Sequence, residues 1–230
     1  MPRTARLVIA NHPHHIIHRG HNRQPVFLSD DDYLYYLDNL QEWKNKLECR
    51  LYAYCLMTNH VHLILDPGEN EGNLAKLMKR IAGRQTRYVN KLEKRTGTLW
   101  EGRYKSSPIS ADCYLMACCR YVELNPVRAG IADHPSGYQW SSYAEKTGEG
   151  YNLVDADPFY LGLNDDPEKR KKKYAEWVLS AIPEGEWELI RSATQRGQLT
   201  GGSKFYDQIA ERLGKRIEAR KPGRPRSVEK

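Results

Sequence analysis

With 230 residues, 40% of them hydrophobic, the chain can form one principal domain plus an appendage, while a mean hydropathy of −0.76 marks much of it as wet. No apolar run approaches the roughly 18 residues of a membrane span. The opening "MPRTARLVIANHPHH" lacks a signal-peptide pattern, and the five cysteines (Cys49, Cys55, Cys113, Cys118, Cys119) show neither CxxC spacing nor the density of a disulfide scaffold, so a reduced, cytoplasmic protein is expected. The net charge of +7 is unevenly spread: residues 73–128 carry 12 basic against 4 acidic side chains, residues 129–167 carry 1 against 7, and residues 201–230 carry 9 against 4. Positive charge gathered into one central block and one tail is the footprint of a nucleic-acid binder.

In chain order, "HHIIHRG" (14–20) reads as a strand ending at Gly20. Ser29 followed by Asp30, Asp31 and Asp32 is a helix start, a capping hydroxyl and then acids in the positive first turn. Leu34, Leu37, Leu40 and Leu47 then recur at helical spacing to about residue 48. Residues 50–65 read as one strand, closed by the turn-rich "DPGENEGN". A second helix spans Asn73 to Arg95 with sharply divided faces. Leu74, Leu77, Met78, Ile81, Tyr88, Val89 and Leu92 share one side, while Lys76, Arg80, Arg84, Arg87, Lys91 and Lys94 fall within an arc of about 80° on another. Surface helices usually mix signs for pairing between turns, so a one-sign stripe is expected to face phosphate.

"TLWEGRYKSSPIS" (98–110) is a further strand or extended loop carrying Arg103 and Lys105. Ser110 then caps a third helix, "ADCYLMACCRYVELN", which Pro126 should end. The order strand, helix, strand, helix, extended segment, helix predicts an α+β sheet with helices on one face. Near residue 145 the composition shifts, which divides the chain into a principal domain (1–145) and a partly helical extension (146–230) with a basic tail from about residue 215.

The most apolar run, "CLMTNHVHLIL" (55–65), contains two histidines two apart. Side chains of a strand alternate between faces. Val61, Leu63 and Leu65 share one face, and His60 and His62 lie side by side on the other. Two imidazoles at that spacing can share a divalent ion or can simply pack. On the third helix Leu115, Cys119 and Val122 define a buried stripe, flanked by a second stripe of Tyr114, Cys118, Tyr121 and Asn125. Tyr121 and Asn125 stack one turn apart, so the first can be a nucleophile and the second a third ligand, or Tyr121 can be rim packing. Glu123 points elsewhere.

At these residues the chain resembles a known family. "MTNHVHLIL", followed about sixty residues later by "RYVELNPVRAG", is similar to the single-tyrosine HUH transposases of small bacterial insertion sequences. It is most similar to the REP-associated tyrosine transposases, which act on repetitive extragenic palindromes. "HHIIHRGHNRQPVF", "LWEGRYKSSPI" and "WSSY" (140–143) complete the match over roughly residues 12–145, with His21 where asparagine is more usual. The resemblance implies a ferredoxin-like antiparallel sheet, His60 and His62 as metal ligands, Tyr121 as nucleophile and Asn125 as third ligand. It also implies single-stranded DNA beside a hairpin as substrate. A nucleoid-associated monomer is favoured over the dimers of insertion-sequence relatives.

Phosphodiesters repel nucleophiles, and a cation on their oxygens offsets that charge. Two neutral imidazoles and an amide oxygen suit Mg²⁺ or Mn²⁺, with nitrogen ligation leaning to manganese. A phenol, with an ordinary pKa of about 10, needs activation before it attacks to give a 5′-phosphotyrosine and a free 3′-OH. Arg84, Arg87, Lys91, Arg103 and Lys105 are the expected backbone-binding group. In the tail, "KPGRPR" is similar to a minor-groove hook that would insert Arg224. A DNA-binding regulator without turnover and a phosphoesterase using water remain as alternatives.

Overall fold

The structure, a computed structural model, describes residues 6–111, 113–148 and 150–214. Its frame is β1 (His14–Arg19), α1 (Asp30–Lys46), β2 (Arg50–Met57), β3 (His60–Asp66), α2 (Gly72–Leu92) and β4 (Lys105–Pro108). The strands form one antiparallel sheet in the order β2-β3-β1-β4, and βαββαβ with that order is the ferredoxin-like arrangement. Capping of α1 is as the sequence predicts: Asp32 Oδ2 accepts from the backbone N–H groups of Ser29 at 3.1 Å and Leu28 at 2.6 Å.

After the frame come α3 (Cys113–Glu123), α4 (Asn125–Arg128), α5 (Tyr143–Thr147), α6 (Pro158–Gly162), α7 (Pro167–Val178), α8 (Glu186–Arg196) and α9 (Ser203–Leu213). Pro126 does not end the third helix outright. Helical geometry breaks at Leu124, and Pro126, which has no N–H to satisfy, sits in the first turn of α4. The second helix likewise stops at Leu92, short of Arg95, because Lys94 takes a positive φ of 49°. Among the described residues, no helix is long and apolar enough to cross a membrane.

The run 50–65 is not one strand but a hairpin turning at Thr58 and Asn59, with Met57 opposite His60 and Cys55 opposite His62. Because Met57 pairs with His60 across the turn, Ala53, Cys55 and Met57 share the histidines' face, whereas unbroken alternation across 51–65 would set them with Val61; a register shift between Leu51 and Ala53 then returns Leu51 to the face of Leu65. Both faces are therefore buried, and helices cover both rather than one. On the first face, Leu51, Tyr54, Leu56, Val61, Leu63, Leu65 and Ile16 pack under α1 and α2. On the second, Ala53, Cys55, Met57 and Ile64 meet Leu115, Cys119 and Val122 of α3 and Ile190 of α8. Each large aliphatic side chain so buried contributes about 1.5–3 kcal/mol relative to exposure. Segments beyond residue 145 pack on this body: Leu153 enters the first core, and Tyr174 and Val178 form a further cluster with Met116 of α3, Leu124 and Tyr143. Cys49, Cys55, Cys118 and Cys119 are buried free thiols.

Candidate active site

The second face carries the histidines. Antiparallel pairing sets Ile17 opposite His62 and Arg19 opposite His60, so His15, Ile17 and Arg19 share that face with His60 and His62. Helix α3 crosses it on the apolar stripe formed by Leu115 and Val122, which fixes where Tyr121 falls. The Tyr121 ring meets His15 edge-on at 5.5 Å and His62 at 5.9 Å between centroids, and the His60 and His62 rings are 5.0 Å apart. Tyr121 is only 4% exposed, so it is no rim residue. One cleft of about 520 Å³ is lined by His60, His62, Tyr121 and Asn125 together with Arg19, Arg23, Asn59, Arg128, Arg191 and Gln195. Of the sequence stripe, Cys118 is core, Asn125 lines the cleft, and Tyr121 does both, packing in the core while bordering the cleft.

Hydrogen bonds behind the cleft fix which atoms face it. Asn59 Nδ2 donates to the carbonyl of Arg23 at 3.0 Å, which turns Asn59 Oδ1 toward His60 Nδ1, 2.7 Å away. That oxygen can only accept, so His60 carries its proton on Nδ1 and keeps a lone pair on Nε2. Asn125 Nδ2 donates to the carbonyls of Tyr121 at 2.8 Å and Val122 at 3.2 Å, leaving its Oδ1 as the available acceptor. His62 Nδ1 lies 2.9 Å from His15 Nε2, and His15 Nδ1 lies 2.7 Å from Thr194 Oγ1.

Burial keeps these rings uncharged. It lowers the His60 pKa to about 4, with Arg19 adding to the effect, and the His15 pKa to about 3. His62 is pushed well below the ordinary value, first by burial and then by His15, His60, Arg128 and Arg19. Neutral imidazole is the form that ligates a metal. Among the described residues no three of His, Cys, Asp and Glu come together as a metal group. His60, His62 and Asn125 do line one cleft, with His60 Nδ1, His62 Nδ1 and Asn125 Nδ2 each held by a hydrogen bond and the other ring nitrogen or amide oxygen left over. That donor set fits a divalent cation, and it adds no negative charge to weaken the cation as a Lewis acid.

The remaining predicted residues lie elsewhere. Arg84 stacks on Trp43, with 5.3 Å from its guanidinium carbon to the ring centroid, and is tied to Glu42 and Asn39 of α1. Arg87 and Lys91 are exposed on α2, across the sheet from the cleft. Lys105, opposite Ile17, is exposed on the site's own side of the sheet, and Arg103 is exposed. Arg224 lies outside the described residues. The cleft's own cations, Arg19, Arg23, Arg128 and Arg191, were not singled out from the sequence. Arg19 had a signal, since it continues the His15–Ile17 alternation. Arg128 stands within the quoted motif "NPVRAG", and its guanidinium covers the rings of Tyr121 at 4.8 Å and Trp187 at 4.1 Å. Arg191 and Gln195, on a helix remote in sequence, had none.

A ferredoxin-like sheet with paired histidines facing a helix-borne tyrosine defines a class, and comparisons with known proteins agree on which. Residues 8–125, just over half of the chain, match the family described as "Transposase IS200 like", and the chain belongs to that family. Over 137 residues it is 26% identical to a Haemophilus influenzae protein described as a REP-associated tyrosine transposase, covering 51% of this chain and 76% of that protein. In fold it is similar to a solved REP-associated tyrosine transposase bound to a REP hairpin, with a TM-score of 0.57 and 18% identity over 68% of this chain and 92% of that one. The resemblance carried by the sequence motifs is thereby borne out.

Proposed function

We propose that this chain is a metal-dependent DNA nicking and joining enzyme that acts on single-stranded DNA beside a hairpin of the REP type, within the bacterial cytoplasm. The observation that carries this reading is the meeting of Tyr121, His60, His62 and Asn125 in one cleft with four arginines around them. His60, His62 and Asn125 would hold Mg²⁺ or Mn²⁺, and the bound cation would supply charge neutralisation at the scissile phosphate. Arg19, Arg23, Arg128 and Arg191 bind the flanking phosphates and orient the strand. The Tyr121 phenolic oxygen attacks phosphorus, the phenol proton leaves to solvent, and the bond from phosphorus to the 3′ oxygen breaks. The 3′ oxygen gains a proton, which yields a free 3′-OH and a 5′-phosphotyrosine. Because the ester conserves the energy of the broken linkage, the same step run backwards with another 3′-OH rejoins strands.

The test is incubation of the full chain with an end-labelled hairpin oligonucleotide and Mn²⁺, followed by denaturing electrophoresis. A denaturant-stable protein–DNA adduct that disappears in Tyr121→Phe is expected. Cleavage that survives this substitution would sink the proposal in favour of attack by water, and hairpin binding with no cleavage at all would point to a regulator.

A further inference from the structure

Helix α8 lies outside the stretch matched to the transposase family, yet it flanks the cleft from the front and the histidines from behind. Arg191 and Gln195 line the cleft, whereas Thr194 and Ile190 are fully buried against the sheet. The helix is pinned at its first turn: buried Arg120 of α3 donates to both carboxylate oxygens of Glu186, at 2.7 and 2.9 Å. Thr194 Oγ1 is 2.9 Å from the carbonyl oxygen of Ile190 and 2.7 Å from His15 Nδ1, and His15 Nε2 is 2.9 Å from His62 Nδ1.

This chain of contacts can run in two directions. In one, the Thr194 hydroxyl donates to the Ile190 carbonyl and accepts from His15 Nδ1–H. The bare His15 Nε2 then accepts from His62 Nδ1–H, and His62 Nε2 ends with a lone pair. In the other, Thr194 donates to His15, each proton moves to the opposite end of its bond, and His62 Nε2 ends with an N–H. His15 is fully buried and His62 nearly so, which disfavours a charged ring in either direction.

Two observations select the first direction. The Ile190 carbonyl can only accept, and a helical threonine characteristically donates to the carbonyl four residues back. Arg19 and Arg128 also line the cleft that His62 borders, and their positive charge favours a lone pair facing the cleft over an N–H.

We infer that Thr194 and His15 are positioning residues that set the tautomer of His62, so that α8 is a working part of the metal-binding device. The inference rests on the reading of His62 as a ligand. It gives the two histidines separate locks: His60 is oriented from its own hairpin by Asn59, and His62 by a helix more than a hundred residues downstream.

The experiment uses the full chain, metal-free, with ¹⁵N-labelled histidine, and reads from long-range ¹H–¹⁵N spectra which ring nitrogen carries the proton. Nδ1–H is expected for both His60 and His62. In Thr194→Val, which keeps the shape but removes the hydroxyl, His62 loses its Nδ1–H preference while His60 keeps its own. Mn²⁺ affinity, measured by calorimetry, falls by about 10–100-fold, the usual cost of removing an outer-shell partner. Thr194→Ser restores both. The inference is overturned if wild-type His62 carries its proton on Nε2, if Thr194→Val changes neither tautomer nor affinity, or if the wild-type chain does not bind Mn²⁺. Should Thr194→Val fail to fold, the wild-type spectrum alone decides. None of these readouts needs DNA, so a chain that forms no tyrosyl adduct yet shows this tautomer refutes the proposed function and leaves the inference standing.

Discussion

The two faces of the sheet use the same strands for opposite purposes. Toward α1 and α2 the strands present Leu51, Tyr54, Leu56, Val61, Leu63 and Leu65, a dry surface whose work is done by area and packing. Toward α3 and α8 the same strands present His15, Ile17, Arg19, His60 and His62, where most side chains are placed by a particular hydrogen bond or ring contact. The second face has an apolar core of its own, with Ala53, Cys55, Met57 and Ile64 under α3 and α8. The difference teaches that packing holds both sides of the sheet, and that the placed polar groups are confined to the part of the second face lined by β1 and β3.

This comparison can be broken or sharpened by substitution on either side. The largest effect is expected for Tyr121→Phe on the site face. The covalent adduct should vanish altogether, since phenylalanine has no oxygen to form it, with hairpin affinity from fluorescence anisotropy unchanged. His60→Ala should cost on the order of 10²-fold in cleavage rate, and should remove Mn²⁺ binding in calorimetry while leaving the thermal midpoint close to wild type. On the packing face the pattern inverts. Leu63→Ala should cost about 2–5 kcal/mol of stability in urea titration, with cleavage per folded molecule retained. A packing-face substitution that abolished cleavage while the protein stayed folded would break the division of labour.

Smaller effects concern pH and salt. His14 is buried beside Ile9, whose N–H donates to its Nε2 at 3.1 Å, and burial lowers its pKa to about 4. His18, stacked on Trp100 at 4.0 Å, is also lowered to about 4, again mainly by burial. Between pH 6.5 and 4 the unfolded chain binds protons that the folded chain refuses, so stability falls as pH falls through that window. The loss is roughly 3 kcal/mol for a fully buried ring at most. Urea midpoints should drop across this window and less steeply in His14→Gln; an equal slope in the variant removes His14 as a source. Least of all, Arg87→Ala and Lys91→Ala on the far side of the sheet should each reduce the salt slope of hairpin binding by about one or less. No change in that slope would confine the DNA to the cleft side.

Some of this was legible in the sequence and some was not, for physical reasons. The helix carrying Asp30–Asp32 announced its own start, because capping is local chemistry. The pairing of Tyr121 with Asn125 followed from helical period, and the pairing of His60 with His62 from strand period. The hairpin was hidden because Thr58 and Asn59 turn the chain without a glycine or proline to mark it. Its concealment led alternation astray for β2 while leaving β3 correct. The stripe of arginines on α2 read as a phosphate-facing surface, yet Arg84 is spent on Trp43 and Glu42 of the neighbouring helix, a partner 42 residues away that no local period reveals. His15, Arg191, Gln195 and Thr194 reach the site only through the fold.

Gly20, at the end of β1, gains a meaning from this geometry. Its N–H donates to the carbonyl of Asn59 at 2.8 Å, and a Cβ there would collide with the Gln24 carbonyl and come within 2.9 Å of Val26 Cγ2. The loop folded tightly over this bare backbone is the one that offers the Arg23 carbonyl to Asn59. A single added methyl at position 20 would therefore force the loop at Gln24 to shift, loosen the neighbouring bond from Asn59 to the Arg23 carbonyl, and so disturb the orientation of His60, a ring that the methyl never touches.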